Sequence, residues 1–243
     1  MTTTSVTDVL VQANAAMVGP HPDVTGAMAD LLVGVTEVLS ADAAAVLVTS
    51  DSSLEVLAST SHRVLDLEMY QAQVAEGPCI ESLRTGAGIS EHGVDAIRSR
   101  WPVAGPVILS SGYTAVHATP LRWHDETFGA LNVFWADESD FEERLTDCRA
   151  LGDAVTLVLL CGRLEDGALV ESLRAALHRR TVVEQAKGAL AHVLGIDPGD
   201  SFEALTDFGR REEIPLGHAA ELVMALARTG TLGEHLAKSG HHG

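Results

Sequence analysis

Residues 114–135 read TAVHATPLRWHDETFGALNVFW. Two runs rich in apolar residues, Thr114–Leu121 and Phe128–Trp135, flank a polar turn, His124-Asp125-Glu126. So short a connection joins antiparallel neighbours, because a parallel pair needs a crossover of a dozen residues or more. Pro120 has no amide hydrogen to give and points to a strand end or a sheet edge. Upstream, Ala44–Thr49 and Leu54–Ser59 repeat the pattern around Asp51-Ser52-Ser53. Before them, Val24, Met28, Leu31, Leu32 and Val35 fall on one helical face. Arg63–Val74 returns to helical spacing, and Cys79–Thr85 reads as a short helix behind Gly77-Pro78, ending at Gly86. Residues 87–113 are rich in Gly, Ser and Pro and read as irregular. The order helix, hairpin, helices, hairpin, helix predicts an α+β fold rather than βαβ repetition.

Downstream the pattern is helical throughout. Asp140 is placed to cap a helix from Phe141. Apolar spacing carries helix through 141–179, bent or interrupted at Gly152 and Gly162. Its seam suits packing on its own domains and pairing with a second copy equally well. Val182, Val183, Ala186 and Leu190 form the next face, closed by Gly195 and Pro198. Asp200 and Glu203 stand at capping-box spacing ahead of Phe202, Leu205 and Phe208, which read as core. Pro215 suits the first turn of a last helix carrying Leu216, Ala220 and Val223. Residues 1–22 read as a leader and 229–243 as a flexible tail.

The 243 residues hold 34 acids and 16 bases, a net charge of −18. Such a chain is repelled by phosphate backbones unless its cations are gathered somewhere. Residues 1–170 carry −16, from 24 acids and 8 arginines, whereas residues 171–228 carry only −2, from 9 acids and 7 bases. A general nucleic-acid coat is excluded; a small specific site in the second portion is not. The three cysteines show neither CxxC nor zinc spacing, so no metal or cofactor is expected, and their odd number suits a reducing compartment. The N-terminus lacks the basic and apolar segments of a secretory signal, and no apolar run nears the ~18 residues of a membrane span. A cytoplasmic protein is expected.

Four motifs occur in order in the first portion: Glu76-Gly77-Pro78-Cys79, Arg100-Trp101-Pro102, Thr119-Pro120-Leu121 and Phe128-Gly129-Ala130-Leu131-Asn132-Val133. Together they make residues 23–162 resemble a GAF domain of the kind found in actinobacterial two-domain regulators. In the second portion, Arg180-Thr-Val-Val-Glu-Gln-Ala186-Lys187-Gly188-Ala-Leu190, with Phe202, Leu205, Phe208, Leu216 and Ala220 at matching spacing, resembles an ANTAR domain. With its connecting helix it would span 163–228. The resemblance implies an antiparallel sheet flanked by helices, a long connecting helix and a three-helix RNA-binding module. It implies a transcription antitermination regulator, not an enzyme, that binds structured leader hairpins rather than DNA or membrane. A homodimer and an unknown small-molecule or protein signal at the GAF portion go with it. The chain departs from the ANTAR pattern at Thr206, Gly209 and Glu213, where arginine, a small alanine or serine, and asparagine are common. An alternative is therefore a ligand or redox sensor, or a dimerisation module, whose degenerate ANTAR domain binds no RNA.

The RNA-contact candidates are Arg180, Ala186, Lys187, Gly188, Arg210 and Arg211. Small residues beside a lysine let a phosphate backbone or base come close, and lysine brings the charge. The same small residues would also allow close helix packing around a merely solvated lysine. A ligand pocket near residues 76–113 would draw on Cys79, Trp101, Tyr113, His117 and Trp123, or be filled by its own side chains. Cys79 stands at a helix start, where the dipole favours a thiolate, yet cysteine is more often simply buried. No Ser/His/Asp, P-loop or paired-carboxylate motif supports other chemistry.

Overall fold

A computed structural model describes residues 4–18, 24–50, 53–160 and 168–239. Helices α1 (Val6–Val18) and α2 (Val24–Val38) lead into strands β1 (Ala43–Ser50) and β2 (Ser53–Ser59). Helices α3 (His62–Val74) and α4 (Pro78–Thr85) precede β3 (Ile89–His92), α5 (Val94–Arg100) and α6 (Ala104–Ser110). The long hairpin follows as β4 (Ala115–Trp123) and β5 (Glu126–Trp135). After it come α7 (Phe141–Arg144), α8 (Cys148–Leu160), α9 (Ala168–Leu194), α10 (Ser201–Arg211), α11 (Leu216–Thr229) and α12 (Leu232–Ser239).

The five strands form one sheet, ordered β2-β1-β5-β4-β3, with every neighbouring pair antiparallel. Both faces are covered. Helices α1, α2 and α8 close one, burying Leu31, Val35, Trp135, Leu151 and Val155. Helices α3 to α6 close the other around Val64, Leu67, Ile97, Ile108 and Phe134. Two covered faces explain why β1 and β5 read as unbroken apolar runs rather than alternating ones. A third core joins α9 to α12 through Ala186, Leu190, Leu205, Phe208, Val223 and Leu236. Helix α9 also meets the α+β region: Leu177 packs into the first core, and α9 touches β1, β2 and α2. The α+β expectation holds.

Several local expectations do not. The segment read as a leader contains α1, whose Val9 and Ala13 are buried against the first core. The stretch 87–113 contains β3, α5 and α6; elements of four and seven residues are too short to show a period. The helix expected through 141–179 stops at Arg144, gives way to a 3-10 turn at Leu145–Asp147, and resumes as α8. Gly152 lies inside α8 without breaking it, while the second expected interruption, Gly162, falls outside the described residues. The tail contains α12, because Leu232 and Leu236, four apart, bury into the third core. An eight-residue helix is marginal alone and exists here through packing. Asp140 and Asp200 stand at N-cap positions but make no side-chain cap bond. The carboxylate of Asp197 instead accepts from the Gly199 amide at 2.8 Å, one turn earlier.

Candidate functional site

The six RNA-contact candidates lie in three settings. Ala186 is fully buried in the third core and has no free surface. Gly188 is exposed, and a methyl group added there would meet nothing within 4 Å. Arg180 and Lys187, seven residues apart on α9, share one side and line a cleft with the α+β region. The Lys187 Nζ donates to both carboxylate oxygens of Glu184 at 3.0 Å, and its side chain is only 15% exposed. Burial holds the Arg180 guanidinium below the usual arginine range, while Glu184 and Glu55 oppose that shift from a distance. Arg210 and Arg211 are exposed at the end of α10, where Arg210 pairs with Asp207 at 2.8 Å. Arg210 borders a separate depression with Thr206, Gly209 and Glu213, so the three positions departing from the ANTAR pattern converge there.

The cleft holds about 420 Å³. Its apolar wall comes from Met28, Leu32, Leu57, Leu65, Phe202 and Leu216. Phe202, expected in the core, is instead 36% exposed on this wall. Sequence reasoning missed the cleft altogether, because five or more separate elements supply its residues and each looks ordinary in its own element.

The five pocket candidates in the α+β region do not converge. Cys79, Trp101 and Tyr113 pack on the α3–α6 face of the sheet, whereas Trp123 packs with the opposite core. None of the five lines the cleft. Burial, and Glu68 close by, push the Cys79 thiol well up, so it is a packed thiol rather than a thiolate. Trp101 is buried and its Nε1 donates to Glu81 at 3.1 Å. Tyr113 lies 5.1 Å from Phe134, ring to ring. His117 Nδ1 is 2.7 Å from the Ser90 hydroxyl and Nε2 is 2.9 Å from the Thr119 hydroxyl. Thr119 Oγ1 donates to the Cys148 carbonyl, so it accepts from Nε2–H, which leaves Nδ1 to accept from Ser90. Burial lowers this imidazole to about 4, and it stays neutral.

The sequence motifs have a structural explanation in the same region. Glu76 accepts from the Val103 and Ala104 amides at 2.6 and 2.8 Å, capping α6. Gly77 has φ +136°, and a Cβ there would strike the Gln71 side chain. Glu81, in the helix that Pro78 and Cys79 open, binds Arg100 at 2.7 Å as well as Trp101, so α4 is clamped to the Arg100–Pro102 segment.

One group escaped sequence reasoning. Glu68 is completely buried, accepting from Asn132 at 2.6 Å and from Gln71 at 3.1 Å. Desolvation raises its carboxyl to about 8, so it is an uncharged acid at neutral pH. Its signal was present: Val64, Leu67, Glu68 and Gln71 lie at i, i+3, i+4 and i+7, two polar residues in a buried stripe.

Residues 171–224 match the family model of the ANTAR domain, from within α9 to within α11. No curated protein matches the chain. Among solved structures, the GAF domain of an Acinetobacter phosphoenolpyruvate-protein phosphotransferase is 11% identical, covering 63% of this chain and 89% of that one, with a TM-score of 0.48. The corresponding Coxiella burnetii GAF domain is 18% identical, covering 76% and 97%, with a TM-score of 0.42. Free methionine-R-sulfoxide reductase from Neisseria meningitidis is 15% identical, covering 70% and 91%, with a TM-score of 0.45. No helix among the described residues is long and apolar enough to cross a membrane. Residues 171–224 are similar to the ANTAR domain, and the solved structures similar to the chain include GAF domains.

Proposed function

We propose that this chain is a signal-responsive, cytoplasmic transcription antitermination regulator. Its ANTAR domain binds structured leader RNA under control of the N-terminal sensor, and it performs no catalysis. The observation that carries this reading is the ANTAR match over α9 to α11. Within it, Arg180 and Lys187 share one helix side, with Gly188 open beside them. Both cations face the α+β region, so RNA contact requires the two parts to separate, and a signal acts by shifting that balance. A homodimer is part of the reading. Val11 and Leu157 are 61% and 53% exposed on α1 and α8, helices that pack side by side, and offer apolar surface to a second copy.

A mobility-shift titration against a panel of two-hairpin RNAs tests this. Lys187→Ala weakens binding, and its salt slope is smaller by about one counterion. Tight binding with an unchanged slope would discard Lys187 as a contact. A specific observation favours a second reading, a sensor that binds no RNA: Thr206, Gly209 and Glu213 share a depression whose one basic neighbour is Arg210. The absence of any specific shift at low salt, where weak phosphate contacts show best, would select that reading.

A further inference from the structure

We propose that the cleft between the α+β region and the helical module is a binding site for an amphipathic monoanion, a small molecule with an apolar body and a carboxylate head. Its size, about 420 Å³, lies within the range of roughly 300–1,000 Å³ typical of small-molecule sites. Its wall is predominantly aliphatic, from α2, β2, α3 and α11, with the Phe202 ring on the α10 side. The charged groups on that wall are few, and their balance selects the head group. Lys187 is held by both oxygens of Glu184, which leaves that pair neutral. Arg180 remains: Glu184 and Glu55 act on it from a distance, and among the described residues no hydrogen bond or salt bridge of hydrogen-bonding length ties up its guanidinium. A half-buried Arg whose N–H groups are not engaged in hydrogen bonds is a recognition element for a carboxylate, which it can hold through two parallel N–H bonds. Helix α3 adds to this: its cap Ser61 and first residue His62 line the cleft, at the positive end of a 13-residue helix. A cation is disfavoured by both features. A neutral apolar molecule would make no use of the guanidinium.

The position of the site defines what occupation does. The ligand touches both parts of the chain only while they lie together, so it stabilises this closed arrangement. On the reading proposed above, RNA requires Arg180 and Lys187, so ligand and RNA each lower the other's affinity by the same factor.

Calorimetric titration of the full chain, without RNA, tests the site using decanoate, decanol and decyltrimethylammonium as probes. The expected result is saturable 1:1 decanoate binding, at least tenfold tighter than decanol, and no binding of the cation. Arg180→Gln reduces decanoate affinity at least tenfold and leaves decanol unchanged, and Arg180→Lys restores part of the difference. Ala29→Phe, which fills the cleft from the α2 wall and leaves the Arg180 residue itself in place, abolishes both. Circular dichroism of each variant verifies that it is folded. Equal affinity for decanoate and decanol, no saturable decanoate binding, or decanoate binding indifferent to both Arg180→Gln and Ala29→Phe overturns the proposal. Decanoate binding in a chain that shifts no RNA leaves the site standing and discards only the regulatory reading.

Discussion

Two glycines sit in the interior of helices in different parts of the molecule: Gly152 in α8 and Gly188 in α9. Each makes its helix less stable than alanine would. A Cβ on Gly152 would stand 2.5 Å from the Thr119 methyl, so the missing side chain lets α8 lie against β4. A Cβ on Gly188 would meet nothing within 4 Å. The contrast extends to the polar residues. In the α+β region Glu68, Glu76, Glu81 and His117 are committed to buried or partly buried hydrogen bonds that hold elements together. On the helical module Arg210, Arg211 and Gly188 face solvent, and Arg180 faces a cleft. Unusual residues in the first part are accounted for by packing. In the second part Gly188 and Arg180 are not, and that is where recognition has residues available to it.

The largest expected effects use two buried titratable groups, Glu68 and His117, which respond to pH in opposite directions. Glu68 is raised from 4.5 to about 8, so the unfolded chain ionises first and stability falls as pH rises through that window. His117 is lowered from 6.5 to about 4, so the unfolded chain takes up a proton first and stability falls as pH drops through that window. Each slope is about 1.4 kcal/mol per pH unit. Between 4.5 and 6.5 the two slopes cancel. Glu68→Gln keeps an acceptor for Asn132 and removes one slope. Its stability gain over the parent grows from pH 4.5 and reaches about 3 kcal/mol at pH 7 in denaturant titrations. His117→Gln uncovers the other slope, leaving a variant whose stability declines steadily above pH 4.5. A gain from Glu68→Gln that does not change with pH would mean that Glu68 is ionised in the folded state, and this half of the comparison would fail.

Gly152→Ala is next in size. Thr119 cannot turn aside freely, because its hydroxyl is held between His117 and the Cys148 carbonyl. Overpacking against a pinned strand outweighs the gain in helix propensity, and the variant loses about 2 kcal/mol. The midpoint of urea unfolding measures it. A stabilised Gly152→Ala would show that α8 can slide on β4 and that the glycine is not required by the sheet.

The same division decides what the sequence could reveal. The β4–β5 hairpin was legible because both strands are buried on two faces and their apolar runs are long. Helix α4 was legible because Pro78 and Gly86 mark its ends. Strand β3 was not: four residues at the sheet edge pair with β4 alone. Helix α12 was hidden because its two anchors, Leu232 and Leu236, matter only once the third core exists to receive them. At the site, the shared side of Arg180 and Lys187 followed from their spacing of seven. What that side faces did not, since it depends on how α9 lies against α2 and β2. Phe202 precedes Leu205 by three on an apolar stripe, so nothing local distinguishes a cleft wall from a core position.

The smallest effect is the sharpest test of the contrast. Gly188→Ala adds a methyl group to an exposed helix interior with no neighbour to displace, so it stabilises the chain by about 0.8 kcal/mol. If the glycine serves close approach of RNA beside Lys187, the same methyl reduces RNA affinity several-fold while thermal stability rises. Few substitutions separate the two quantities in that direction, because general damage lowers both. Mobility shifts and thermal melts on one preparation distinguish the outcomes. A more stable variant with unchanged RNA affinity removes Gly188 from the interface, and places the contact on Lys187 and Arg180 once the cleft has opened.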